Sequence, residues 1–337
     1  MEKITAAIIG LGRIASLLEE DALREKPCTH AGAISSNEDC VLVAGCDIDE
    51  ERRRLFAEKW NVPVYEDAGE MLQKHKLQIL SIATHPDSHY RYCKLAAEHE
   101  IPVVICEKPL ADNLKDSRKI NRLTKRSDLA SHNEPVIITN HERRYSLDYA
   151  RAKAILDEEK LGSLLSVRAV LYMGKTRRLL DMFWHDGTHL ADAIMFLTNA
   201  KLKHRRRWGS KLNSRSGTAW LEGILHKDKN SPHIPVIMEI GAERDHLVFE
   251  IEFSCEKGRL RIGNGVFEVY ESMPSPYAEK FRSLKNTGEE FNGPTHYFAN
   301  MLKDAVFCVR ETNHKPVSSA VDGLRVIEYL NSVKAWR

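Results

Sequence analysis

Short apolar runs that stop abruptly at glycine, an acid or a turn residue recur through the first 140 positions. They lie at 4–9, 41–46, 77–83, 103–106 and 135–139. A continuous apolar run, unlike an alternating one, suits a strand buried on both faces of a parallel sheet. Amphipathic stretches at 90–98 and 114–125 alternate with these runs and predict helices. Residues 1–139 are therefore expected to form a doubly wound parallel sheet of the α/β class.

Beyond 140 the pattern changes. Short β-rich runs follow at 165–172, 219–225, 236–240, 247–253, 259–262 and 266–270. Glu256-Lys257-Gly258 and Gly263-Asn264-Gly265, lying between runs, have the composition of hairpin turns. Residues 140–337 are thus expected to form an α+β domain with a large, mainly antiparallel sheet. Leu190, Ala193, Ile194 and Leu197 repeat at helical spacing, so a helix there should cover one face of that sheet. The other face is left for solvent or a second subunit. Segments 297–309 and 321–333 read as amphipathic helices packed at the domain junction.

Candidate chemistry gathers at the ends of the apolar runs. The first leads into Gly10-Leu11-Gly12-Arg13-Ile14-Ala15, a G-x-G-x-x-A pattern between a strand and a helical segment. Gly10 would permit the tight turn, and Gly12 would let the backbone approach a pyrophosphate. Ala15 would let a helix lie close on the strand, with amides at that helix's N-terminus, including those of Arg13 and Ile14, facing the phosphates. The second run ends at Asp47, where a carboxylate grips a ribose 2′-hydroxyl and favours NAD over NADP, or simply caps a helix. Arg52, Arg53 and Arg54 follow and would soften that preference. Asp47 stands 35 residues after Gly12, against roughly 20 in the usual unit. The surplus is placed in 16–29, as a lid near the phosphates or an ordinary surface loop.

The third run ends in Thr84-His85-Pro86-Asp87-Ser88-His89, which places Thr84 and His85 toward a cofactor crevice. The fourth, Val103-Val104-Ile105-Cys106, ends in Glu107-Lys108-Pro109. An ammonium on a rigid strand end can hold a substrate oxygen and stabilise charge developing on it. Glu107 and Lys108 as plain solvated charges is the competing reading. In the second half, His189 stands at the start of the Leu190 helix with Asp192 three residues on, near enough to orient an imidazole acting as general base. A helix-capping histidine beside a solvated aspartate is the bland version.

Composition narrows the alternatives. A chain of 337 residues suggests two domains. A net charge of +2 gives no reason to expect nucleic acid or an anionic membrane as partner, and the basic run 201–207 reads as a solvated strand or loop edge. Seven scattered cysteines without a C-x-x-C pair indicate reduced thiols and a cytoplasmic setting. No run is long enough to span a bilayer, and no signal peptide is expected. His85 and His89, like His185 and His189, lack the further ligands of a zinc site, so no metal is expected.

Taken in order, Gly10-x-Gly12-x-x-Ala15, Asp47, Ala83-Thr84-x-Pro86-Asp87-x-His89, Glu107-Lys108-Pro109, Arg143-Arg144-Tyr145 and Gly187-x-His189-x-x-Asp192 resemble the Gfo/Idh/MocA family of nicotinamide-dependent oxidoreductases along most of the chain. The resemblance implies hydride transfer between NAD(H) and a hydroxyl or carbonyl carbon of a sugar, cyclitol or related polyhydroxylated small molecule. It implies Lys108 holding the substrate oxygen, and Glu107 and Thr84 at cofactor ribose or amide groups. Arg143 or Arg144 would border the substrate, unless both are surface arginines. Many members carry an aspartate four residues before the histidine; this chain has His185 there, with Asp186 beside it, so either residue takes that place as a substrate contact. The family also implies a homodimer or homotetramer built through the C-terminal sheet. Two relatives of this reading remain: a non-catalytic regulatory protein that binds a dinucleotide on the same fold, and an enzyme that recycles NAD within each turnover. The first has no need of Lys108 and His189.

Overall fold

The computed structural model describes residues 2–124, 134–174, 177–228, 231–311 and 313–335. In chain order the first elements are β1 (Ile4–Ile9), α1 (His30–Ser36), β2 (Cys40–Cys46), α2 (Glu50–Trp60), β3 (Val64–Tyr65), α3 (Ala68–Lys74) and β4 (Ile79–Ile82). Then come α4 (His89–Glu98), β5 (Val103–Glu107), α5 (Leu114–Leu123), β6 (Val136–Asn140) and, after a 3-10 turn, α6 (Leu147–Asp157). The second half adds β7 (Leu164–Tyr172), α7 (Leu179–His185), α8 (Gly187–Thr198), β8 (Lys201–Gly209), β9 (Thr218–His226) and β10 (Ile234–Gly241). It ends with β11 (Val248–Cys255), β12 (Gly258–Gly263), β13 (Val266–Pro274), β14 (Arg282–Asn286), α9 (Tyr297–Arg310) and α10 (Ala320–Ala335).

Two compact units result. One comprises 1–146 with 294–327, the other 147–293 with 328–337. The segment 294–327, placed by sequence in the second domain, thus joins the first unit. There α9 packs on β5, β6 and α1, and Phe298, Met301, Leu302 and Ala305 enter the core beside Ile105 and Ile138. An amphipathic helix shows from sequence that it buries a face, not which sheet it buries it on.

The first unit is a six-stranded, wholly parallel sheet in the order β3-β2-β1-β4-β5-β6. In such a sheet ligands bind outside the carboxyl ends of the strands, where the order reverses, here between β1 and β4. Every residue of β4 and β5 is buried, including Ser81 and Glu107, as expected of mainly apolar strands inside a parallel sheet. Helices α1, α2, α3 and α5 open at Thr29, Asp49, Asp67 and Asn113, whose side chains accept hydrogen bonds from Gly32, Arg52, Glu70 and Asp116 amides.

The second unit carries an eight-stranded sheet in the order β14-β13-β12-β11-β7-β10-β9-β8. Its pairs are antiparallel except β10 with β7, which run parallel. Helix α8 packs on β7, β8 and β11, as its apolar spacing predicts. The opposite face carries ion pairs, Arg261 with Glu250 and Glu268, Arg206 with Glu222, and a stacked Trp208–Trp220 pair. The basic run 201–207 lies on β8, at an edge of the sheet, where charge discourages unwanted strand pairing.

Candidate active site

β1 delivers Gly10 in the left-handed region, φ +86°, with its would-be Cβ 2.7 Å from the Ala83 carbonyl oxygen. Only glycine fits both the torsion and that approach. At Gly12 a Cβ would meet nothing nearer than the Arg52 guanidinium at 3.8 Å, so the backbone there is open to a ligand.

The helix expected to follow this turn does not form. Residues 13–16 make a single turn, with the Ser16 amide bonded to the Gly12 carbonyl at 3.1 Å, and a short 3-10 segment (Leu17–Glu20) follows. Helix α1 begins only at His30. Yet the His30 and Ala31 amides donate to the Ile14 and Ala15 carbonyls at 3.2 and 2.9 Å. Helical hydrogen bonding therefore resumes across an inserted strap. The amides nearest a bound phosphate would be those of the isolated turn, not of a long helix. The strap is tied down: Glu19 accepts from the Thr29 hydroxyl at 2.6 Å, and Glu25 from the Thr295 and His296 amides at 2.6 and 2.8 Å.

Asp47, 6% exposed, accepts from the Leu11 amide at 2.7 Å and the Asp49 amide at 2.9 Å. It does not cap α2; Asp49 does, accepting from the Arg52 amide. The Arg52 guanidinium stands 3.6 Å from Asp47. Asp47 thus braces the glycine turn, with a cation beside it.

At the end of β4, Thr84 bonds Ser88 through its hydroxyl at 2.7 Å, and His85 is exposed. His89 is buried, with Nε2 3.1 Å from the Thr84 carbonyl and Nδ1 3.3 Å from that of Leu110. Burial lowers its pKa, although both carbonyls favour the protonated ring. With each nitrogen facing a carbonyl, this imidazole ties strand ends together and has no lone pair directed at a metal.

The end of β5 is the most elaborate part. The Glu107 carboxylate is buried; Oε1 lies 3.0 Å from His30 Nε2 and accepts from Asn140 Nδ2 at 2.5 Å, and Oε2 accepts from the Lys108 amide at 3.3 Å. Burial alone would raise this carboxyl's pKa. The His30 hydrogen bond and any charge on that ring, the Asn140 amide and Lys108 outweigh it, so the group stays below the ordinary carboxylate range. Lys108 is half-buried and joined to Pro109 by a cis peptide bond. Sequence reasoning overlooked His30 and Asn140, since no spacing rule links residues 77 and 33 positions from Glu107.

Arg143 and Arg144 lie in the 3-10 turn after β6. Arg144 is buried, donates to the Val317 carbonyl at 3.1 Å and pairs with Asp322 at 3.4 Å. Its guanidinium serves the first unit's own packing, while Arg143 is half-buried.

In the second unit His185 ends α7, exposed, with Nδ1 3.0 Å from Asp186 Oδ1; Arg177 donates to the other Asp186 oxygen at 3.2 Å. His189 is the third residue of α8, half-buried, its ring 6.5 Å from that of Phe249. Asp192 is buried one helical turn on. His185, Asp186, His189 and Asp192 are thus brought to the start of one helix.

Among the described residues one group has metal-ligand chemistry: Asp304, Cys308 and His314, with one donor atom each within 4.8 Å of the others. Asp304 is already engaged by His314 at 2.6 Å, the Tyr145 hydroxyl at 3.0 Å and the Val317 amide at 2.9 Å. Burial and Asp304 push the Cys308 thiol up to about 12. The group reads as a hydrogen-bonded hub. All seven cysteines are buried and unbridged. No helix among the described residues is long and apolar enough to cross a membrane.

Residues 4–133 match the Gfo/Idh/MocA model, described as an oxidoreductase family with an NAD-binding Rossmann fold. The chain is similar to a myo-inositol 2-dehydrogenase of Thermotoga maritima, 26% identical over 159 residues, covering 46% of this chain and 41% of that one. It is also similar to a D-apiose dehydrogenase of Rhizobium rhizogenes, 28% identical over 123 residues, covering 36% and 33%. The matches thus span less than half the length of these curated relatives. Among solved structures, myo-inositol 2-dehydrogenase from Lactobacillus plantarum superposes with a TM-score of 0.73 at 19% identity, covering 99% of this chain and 97% of that one. An oxidoreductase from Agrobacterium radiobacter, in complex with NAD+, L-tartaric acid and magnesium, gives 0.70 at 16% identity, with 99% and 97% covered. At these identities the superpositions establish the fold across both units. Over residues 4–133, well under half of the chain, the sequence is thus similar to the Gfo/Idh/MocA oxidoreductase family with its NAD-binding Rossmann fold.

Proposed function

We propose that the protein is an NAD(H)-dependent oxidoreductase that moves a hydride between the nicotinamide and a hydroxyl or carbonyl carbon of a cyclitol, sugar or related polyol. The observation that carries this reading is the end of β5: a buried, hydrogen-bonded Glu107 carboxylate next to Lys108, at the carboxyl ends of the strands of a parallel sheet that also presents the Gly10 turn there. NAD, when bound, supplies the hydride acceptor or donor. In this reading the turn at Gly10, Gly12, Arg13 and Ile14 offers its backbone to the pyrophosphate, Asp47 meets the adenosine ribose, and Thr84, His85 and Glu107 border the rest of the cofactor. Lys108 holds the substrate oxygen and favours negative charge on it.

His189 takes or returns the hydroxyl proton, and the buried Asp192 steadies the imidazole. His185, Asp186 and Arg143 contribute substrate contacts. Arg144 is the weakest member of the set, because Val317 and Asp322 already hold its guanidinium. The relatives named for inositol and apiose oxidation support a polyol substrate. The open face of the second sheet, where Ile237 is exposed, supports self-association as a homodimer or homotetramer, to be read by light scattering.

The test is NADH fluorescence titration followed by a panel of myo-inositol, pentoses and hexoses read at the nicotinamide absorbance. Lys108→Ala should abolish most turnover and leave NADH affinity nearly intact. Equal loss of both would remove Lys108 from the chemistry, and NADH binding without turnover of any polyol would favour a regulatory protein.

A further inference from the structure

We propose that His30 is a positioning residue that acts through Glu107, fixing an anionic carboxylate beside Lys108; the proposal rests on the role given to Lys108 above. His30 is the first residue of α1, 1% exposed, and its ring meets Phe298 edge-on at 5.3 Å. Its Nε2 faces Glu107 at 3.0 Å, while its Nδ1 is buried without a hydrogen-bond partner. A proton on Nδ1 would be a buried donor left unsatisfied, so the hydrogen-bonding geometry places a proton on Nε2, facing Glu107. That ring donates one hydrogen bond to the carboxylate.

The consequence falls on Lys108. Asn140 satisfies Oε1 a second time, and Oε2 accepts from the Lys108 amide. The groups that titrate around Glu107 are His30 on α1, His89 on α4, and Cys106 and Lys108 on its own strand and strand end. Burial holds His89 toward its neutral form and the Cys106 thiol toward its protonated form. Lys108, the next residue in the chain, is the lysine whose charge bears on Glu107. The two donors, His30 and Asn140, keep the carboxylate in one orientation next to Lys108. The inserted strap sets this geometry, because Thr29 both bonds Glu19 and caps the helix that His30 begins.

The experiment uses cofactor-free protein and reads the infrared band of a protonated carboxyl as pH is lowered. His30→Phe keeps a ring but removes the donor; His30→Gln keeps a donor. In His30→Phe the Glu107 titration should move up by about one to two pH units, the size expected for one lost hydrogen bond to a charged group. The band should vanish when Glu107→Gln is added, and His30→Gln should return the native profile. NADH affinity in His30→Phe should weaken as pH falls, in step with the band. Should His30→Phe not fold, His30→Asn against His30→Gln gives the same contrast, since the shorter amide falls short of Glu107. A folded donorless variant with the native infrared profile and the native pH dependence of NADH affinity would overturn the proposal. Failure of the native protein to bind NADH would instead remove the redox reading, and the cofactor-free infrared contrast would be judged on its own.

Discussion

The amide of His30 donates to the carbonyl of Ile14 at 3.2 Å, a helical hydrogen bond closed over a separation of sixteen residues instead of four. Ala31 repeats the relation with Ala15 at 2.9 Å. Twelve residues are thus inserted into what is otherwise one helix, which brings the Gly12-to-Asp47 distance back to the usual spacing. Deleting 17–28 should join Ser16 to Thr29 in helical register and give a folded protein that still binds NADH. Loss of the Glu25 bonds to Thr295 and His296 should lower the melting temperature by about 3–8 °C. Circular dichroism and a thermal melt check this; a deletion that collapses the fold would mean the strap is part of the core.

Gly10→Ala should be far more harmful than Gly12→Ala. At Gly10 the methyl would sit 2.7 Å from a backbone oxygen on a residue with φ +86°, a combination that costs about 2 kcal/mol or more. At Gly12 the nearest atom is the end of a flexible arginine at 3.8 Å. Gly12→Ala should therefore melt within about 2 °C of the native protein and lose NADH affinity only. Denaturant titration paired with NADH binding separates the two.

Asp47 and Arg52 should set the choice of dinucleotide between them. The carboxylate braces Leu11 and Asp49 amides, so Asp47→Ala should weaken NADH binding about tenfold and cost about 1–3 kcal/mol of stability through the unpaired amides. Removing that negative charge leaves Arg52 free to meet a 2′-phosphate. The ratio of NADPH to NADH affinity should rise in Asp47→Ala and fall in Arg52→Ala. Parallel titrations with both cofactors read this directly, and unchanged ratios would place the adenosine ribose elsewhere.

Much of this was legible in the residues because parallel strands advertise themselves. β4 and β5 are buried on both faces, so their sequences are mainly apolar, with Ser81 inside β4 and Glu107 closing β5, and their ends are easy to place. The Gly10 turn was legible because only glycine meets its torsion. The missing pieces have different causes. β14, Arg282-Ser-Leu-Lys-Asn, is an edge strand whose exposed residues carry no alternation, and β3 is two residues long. The strap itself was legible as the surplus at 16–29, but because it splits the periodicity of the first helix, the resumption of that helix at His30 was not. His30 and Asn140 could not be tied to Glu107 because their contact comes from neighbouring β-strand ends and an interrupted helix, which leave no trace in local spacing. Arg144, beside a motif, looked available for substrate; the partner that occupies it, Asp322, lies in α10, far along the chain.

That last pair yields a prediction in which pH separates structure from catalysis. Asp322 is largely buried, caps α10 by accepting from the Ser319 amide at 2.9 Å, and lies 3.4 Å from the Arg144 guanidinium. Burial would raise its pKa; the charge of Arg144, the Ser319 bonds and Arg325 hold it below the ordinary value instead. A carboxyl depressed in the folded state contributes stability that is present above its unfolded pKa, near 3.9, and is lost as pH falls through the folded value. Arg144→Ala removes the largest opposing influence, so burial then dominates and the folded pKa rises. The variant should lose about 3 kcal/mol at pH 7, the cost of leaving one member of a buried pair unmatched. Its deficit against the native protein should shrink toward pH 4, where the stranded carboxyl takes up a proton. Asp322→Asn in the same background should recover part of the loss at pH 7 and remove the pH dependence. Melts at several pH values test this, with NADH affinity followed alongside. A stability deficit that did not vary with pH, joined to a selective loss of polyol turnover, would return Arg144 to the substrate and away from the packing of the first unit.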